Sequence, residues 1–225
     1  MKNLTPFFLC FLLFNLIDAN AQAHKGIGIM AGANISRIQV SNAQVSFFGG
    51  TIDLNDDFGW QPGAQIGITA TPVVFNEQFS LNTGLAYFQR GATTKALDPS
   101  ALGTQEGLMR LQYLSIPVLA RFYPTPMLFL EAGPQVAYLL DARSKLKGGS
   151  ESFDLKRTVD NDLDLGLLAG LGVNLHERLS VSLQYYHGLS KVADFQFTDA
   201  NGEAVGNQSW RNRSLQLGLA VEVWQ

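Results

Sequence analysis

The chain has 225 residues, a formal net charge of −3 and only 16% charged residues, below the ~25% usual in soluble domains. With no basic run it offers nucleic acid no electrostatic footprint. Its hydrophobic share is 46%, yet beyond the N-terminal segment no apolar run approaches the ~18 residues of a membrane helix, which excludes a helical membrane protein and leaves a single domain of another kind.

In chain order, Lys2 opens a short basic region and residues 7–17 (FFLCFLLFNLI) form an apolar stretch too short to span a bilayer. Ala19, Asn20 and Ala21 fit a small-x-small cleavage pattern, so residues 1–21 read as a secretory signal peptide cut between Ala21 and Gln22, with residues 22–225 as the mature domain. The only cysteine, Cys10, lies in the removed part, so no disulfide or thiolate metal site is expected.

Eight segments then alternate with a period of two, the signature of strands with one apolar face. The apolar phases are Ile27 to Ile35, Trp60 to Ala70, Phe79 to Tyr87, Leu114 to Phe122, Leu128 to Leu140, Leu163 to Leu175, Leu179 to Leu189 and Leu215 to Val223, taken every second residue. None of these positions holds Asp, Glu, Lys or Arg. Facing lipid, such a deficit has a cause, because a Lys or Arg at the bilayer midplane costs about 2–4 kcal/mol. The opposite face carries many of the 22 glycines (Gly28, Gly32, Gly63, Gly67, Gly84, Gly133, Gly166, Gly170, Gly172) with few charges, namely Arg121, Glu131, Asp162, Asp164 and Glu222. Glycine only weakens a strand that faces water, whereas a narrow eight-stranded lumen requires small residues. A soluble lipocalin-like ligand carrier, apolar inside and polar outside, is the alternative that this face argues against.

Connections alternate long (39–58, 91–108, 141–161, 191–212) and short (71–76, 123–126, 176–178), as in transmembrane barrels with short periplasmic turns and longer outer loops. An even strand count directs both termini to the periplasm. Aromatics are expected in two girdles: Trp60, Tyr87, Phe88, Tyr113, Tyr138, Tyr185 and Tyr186 toward the long loops, and Phe79, Phe122, Tyr123 and Trp224 at the opposite ends. The predicted fold is all-β: an eight-stranded antiparallel up-and-down transmembrane β-barrel of outer-membrane type.

Candidate chemistry is sparse. Arg121 and Glu131 share the lumen phase on adjacent strands, so an ion pair inside the barrel is expected, structural filling rather than a gate. Asp160, Asp162 and Asp164 resemble the start of a calcium loop, but Leu165 and Leu171 stand where glycine and a bidentate glutamate are needed, so acidic residues at the barrel mouth are the better reading, with a weak divalent-cation contact to lipopolysaccharide as the alternative. His187 and Ser190 raise the alternative of a lipid A deacylase-like, lipid-modifying enzyme, but their spacing of three sends them to opposite strand faces. No catalytic residue, cofactor or metal ligand is therefore assigned.

The segments 28–36 (GIMAGANIS), 113–117 (YLSIP), 131–135 (EAGPQ), 164–172 (DLGLLAGLG) and 185–189 (YYHGL) resemble the PorT-type outer-membrane β-barrel family of Gram-negative bacteria over nearly all of 27–224, with Ser115, Asn174 and Lys191 departing from its usual choices. The resemblance implies an envelope barrel, and its founding member implies a link to type IX protein secretion. The reading is thus a monomeric, non-enzymatic barrel with a structural or interaction role. Its expected partners are outer-membrane lipids and lipopolysaccharide, the outer-membrane assembly machinery during biogenesis, and secretion-system proteins.

Overall fold

A computed structural model describes residues 25–41, 44–47, 50–53, 58–98, 103–147, 152–156, 161–198 and 204–224. The expected signal segment and the expected Ala21–Gln22 cleavage site lie outside the described residues.

Eight principal strands follow one another around a ring: β1 (Gly26–Ser41), β2 (Gln61–Asn76), β3 (Phe79–Asp98), β4 (Gly103–Phe122), β5 (Leu128–Leu146), β6 (Leu163–His176), β7 (Leu179–Gly188) and β8 (Ala204–Trp224). Each pairs antiparallel with the next, and β8 closes on β1 from Ile27↔Trp224 to Ser41↔Ser209. Closure is what lets strands cross a bilayer, because every backbone donor and acceptor finds a partner and no edge meets lipid. Among the described residues no helix is long and apolar enough to cross a membrane.

The two faces separate as the alternation requires. Ile29, Ile66, Leu130, Leu167, Leu171, Leu183, Leu217 and Leu219 point outward and are exposed, while Asn34, Gln65, Ser115, Gln135, Asp164 and Gln216 point inward and are buried. The apolar face is therefore the outer one, opposite to a lipocalin.

Strand lengths depart from the sequence reading. Residues 91–98 and 103–108, expected as part of a loop over 91–108, continue the ladder: β3 and β4 run 20 residues each and stay paired from Gly91↔Arg110 to Asp98↔Gly103. Crossing a bilayer takes only about 9–11 tilted residues, so this hairpin extends well past the membrane. The other expected long loops are also partly strand. Gln44–Phe47 pairs with Gly50–Asp53, Ser152–Asp154 adds to β5, and Ala193–Thr198 adds to the start of β8. Outside lipid the outer face has no need to be apolar, so these stretches lack the greasy alternation that marks the belt. At the other end, 71–76 is strand with two register shifts, and the turn is Glu77–Gln78, held by Asn76 Oδ1, which accepts from the backbone N–H groups of Gln78 and Phe79.

Aromatics also sort differently. Trp60, Tyr138, Tyr185, Phe79 and Trp224 are exposed on the outer face, but Phe88, Tyr113, Tyr186 and Tyr123 are buried inside. The reason is phase: Phe88, Tyr113 and Tyr186 occupy lumen positions of their strands, and Tyr123 keeps the same phase just past the end of β4, so each ring fills the bore instead of the headgroup layer.

Candidate functional site: the barrel interior

The interior has three levels. Nearest the short turns, Arg121 on β4 and Glu131 on β5 are register partners, and the guanidinium donates to Glu131 Oε2 from Nε at 3.1 Å and Nη2 at 2.8 Å. Gln184 Nε2 on β7 donates to the other carboxylate oxygen at 2.6 Å. Gly170 on β6 sits between Glu131 and Gln184 in register, and a Cβ there would lie 2.8 Å from Gln184 Cγ, so its bare backbone lets the amide reach across. The face of Phe129 lies 4.1 Å from Arg121 Cζ.

Further up, Arg90 on β3 forms a second ion pair. Its Nη1 donates to Asp164 Oδ2 on β6 at 3.1 Å and its Nη2 to Gln135 Oε1 at 3.3 Å, with both charged side chains almost fully buried. Asn212 Nδ2 donates to the same Asp164 oxygen at 2.8 Å and to Tyr113 Oη at 3.0 Å, and Ser190 Oγ donates to Asp164 Oδ1 at 3.1 Å. Tyr186 stacks 3.9 Å from Arg90 Cζ, with Phe88 and Tyr113 rings at 5.3 and 5.6 Å. Tyr186 in turn needs Gly166, where a Cβ would come within 2.5 Å of its ring. A buried charge is tolerated only when paired and hydrogen-bonded, and strands β3, β5, β6 and β8 together supply that pairing.

Above this layer the interior turns apolar. Ile38, Val40, Ala92, Met109, Leu111, Leu139, Ala142 and Val192 form one buried cluster, with Phe58, Leu155 and Trp210 packed against it. A cavity of about 50 Å³ remains between the two ion-pair layers, lined by Thr69, Asn82, Gln135, Ser182 and Gln184 among others. It has room for a few waters and not for an aqueous channel.

Sequence reasoning missed Arg90, Gln135, Tyr113 and Asn212 as one constellation. Counting the β3 phase two residues past Phe88 would have put Arg90 inside. Asp164, expected at the mouth, is instead the acceptor for Arg90, and this removes it from any divalent-cation contact. Among the described residues no group of three or more His, Cys, Asp and Glu gathers as a metal site. His187 and Ser190 are not brought together: His187 is exposed on the outer face beside Tyr185, and the Ser190 hydroxyl is held by Asp164 and by the Leu165 backbone N–H.

A family profile described as outer membrane protein beta-barrel domain matches residues 20–194. The chain belongs to that family. It is an outer-membrane β-barrel protein, and no curated protein sequence matches it. Among solved structures it is similar to Ail of Yersinia pestis, crystallised with a heparin analogue, at 16% identity over 89% of this chain and 99% of that one, TM-score 0.44. It is also similar to Neisserial surface protein A (12%, 88% and 99%, TM-score 0.49) and to OprG from Pseudomonas aeruginosa (13%, 89% and 98%, TM-score 0.45). At such identities the architecture of this outer-membrane barrel rests on its own closed hydrogen-bonded ring.

Proposed function

We propose that the protein is a closed, non-enzymatic barrel of the envelope, anchored by its apolar belt and acting through the strands that project beyond it. The observation that carries this reading is the filled interior: among the described residues two ion-pair layers and an apolar plug occupy the bore, leaving only small cavities and no open conduit. The short turns and both termini face the periplasm, the projecting hairpins face outward, and the barrel works as a monomer. Outer-leaflet lipid and lipopolysaccharide surround it, and the assembly machinery inserts it. Within the family, the strand motifs favour a PorT-type member, and with it a role beside type IX secretion proteins.

Reconstitution in planar bilayers tests the closed bore: steady ion conductance from the purified protein would refute it. Protease added to intact cells tests the topology, since cleavage should fall in the projecting half and spare Glu77–Gln78. Deletion of the gene tests the secretion role, which predicts loss of secreted cargo and not merely a leaky envelope.

A further inference from the structure

The outer face stays uncharged along the belt, then changes abruptly at one edge. The last apolar row across β7, β8, β1 and β2 is Tyr185, Leu215, Ile35 and Pro62. One step further toward the projecting end, in the same outward phase, stand His187, Arg213, Arg37 and Trp60, and one step beyond that Arg211, the partner of Gln39. Arg37 and Arg213 are direct cross-strand partners, an arrangement of like charges that destabilises a sheet unless an anion lies between them.

The three guanidiniums are held differently. Arg213 is buried and donates through Nη1 to the carbonyls of Gly188 and Asn212 at 2.7 and 3.0 Å, so it contributes fixed charge. Arg211 donates from Nε to Leu189 O and from Nη1 to Ser41 Oγ, and among the described residues its Nη2 meets no acceptor. Arg37 lies over the exposed Trp60 ring at 5.4 Å, and among the described residues its donors meet no acceptor. Among the described residues none of the three pairs with a carboxylate, whereas Arg90, Arg121 and Arg143 each do. Charged groups set just past the end of the apolar belt sit at headgroup depth, and a guanidinium fork matches a phosphate better than any neutral lipid group.

We infer that Arg37, Arg211 and Arg213, flanked by Trp60 and His187, form an exterior headgroup site for the phosphate of lipid A in the outer leaflet. The inference rests on the topology proposed above, which turns the projecting end outward. Trp60 lies against the sugar-level interface, Arg37 and Arg211 donate to phosphate oxygens, and Arg213 supplies the charge beneath them.

The test uses the full chain refolded in detergent micelles, with native mass spectrometry reading binding of bisphosphorylated lipid A and of the same lipid stripped of phosphate. The wild type is expected to prefer the phosphorylated lipid by about tenfold or more, the worth of one set of charge-assisted hydrogen bonds. Arg37→Gln with Arg211→Gln should abolish that preference, while Arg37→Lys with Arg211→Lys retains most of it. Arg37→Gln alone, which removes no internal hydrogen bond, should weaken it and covers the case in which the double variant does not fold. Equal binding of both lipids by the wild type overturns the site. So does an undiminished preference in the Gln variants, or an equal loss in Arg143→Gln on the far wall, since bulk charge would then be responsible. Heat-modifiable gel mobility separates the two levels: an intact barrel with no preference sinks this site alone, whereas recovery of the wild type in detergent-free extract sinks the membrane reading.

Discussion

The belt half and the projecting half of this barrel use one continuous ladder with opposite faces apolar. In the belt, Leu217 and Leu167 face out and Gln216, Ser115 and Glu131 face in. In the projecting half, Ile38, Leu111 and Leu139 face in, while Arg37, Gln39 and Arg143 face out. The solvent outside decides the sign: acyl chains attract apolar side chains outward, and water drives them in. Between the halves lies the Arg90–Asp164 layer, polar on its lower side and ringed by Phe88, Tyr113 and Tyr186.

That contrast yields tests of decreasing size. Asp164→Ala leaves the Arg90 charge buried without its partner and is expected to cost about 3–5 kcal/mol, read as a lower urea midpoint in micelles. Joint replacement of Arg90 and Asp164 by leucine should recover most of it, and an unchanged midpoint in Asp164→Ala would mean the layer is not structural. Leu139→Ala in the plug opens a cavity worth about 2–5 kcal/mol, whereas Leu217→Ala on the lipid face should cost clearly less, because acyl chains fill the gap. If the two match, the halves are not distinct. Leu217→Lys should cost about 2–4 kcal/mol in a bilayer, and Gln39→Lys almost nothing, by the same unfolding measurement in vesicles. The smallest effect belongs to Arg143→Ala: its guanidinium is mostly exposed and its pair with the half-buried Asp141 is worth about 0–1 kcal/mol.

Much of the belt could be read from the chain because lipid imposes one rule on the outer face. Residues 162–175 announce β6 and its orientation without any structure, and the Arg121–Glu131 register follows from one tight turn and a common phase. The projecting half was hidden, since Gly91, Thr93 and Thr94 on β3 look like a loop when no greasy alternation accompanies them. Arg90 was lost with that boundary. Four aromatics were misassigned for a related reason, as proximity to a strand end suggested a girdle while their phase pointed into the bore. The bulge between Gln112 and Tyr113, which reseats β5 so that both Leu139 and Ala142 turn inward, leaves no mark in periodicity at all.

The seam between β1 and β8 has a consequence for biogenesis. Ile27 and Trp224 stand opposite each other in the ladder although nearly the whole chain separates them, so the ring cannot shut until its final strand has emerged. Before that moment two raw edges confront hydrocarbon, each peptide group there lacking a mate. A shortened last strand would therefore stall insertion as a whole, and whatever escorts the nascent sheet must shield both borders until they meet.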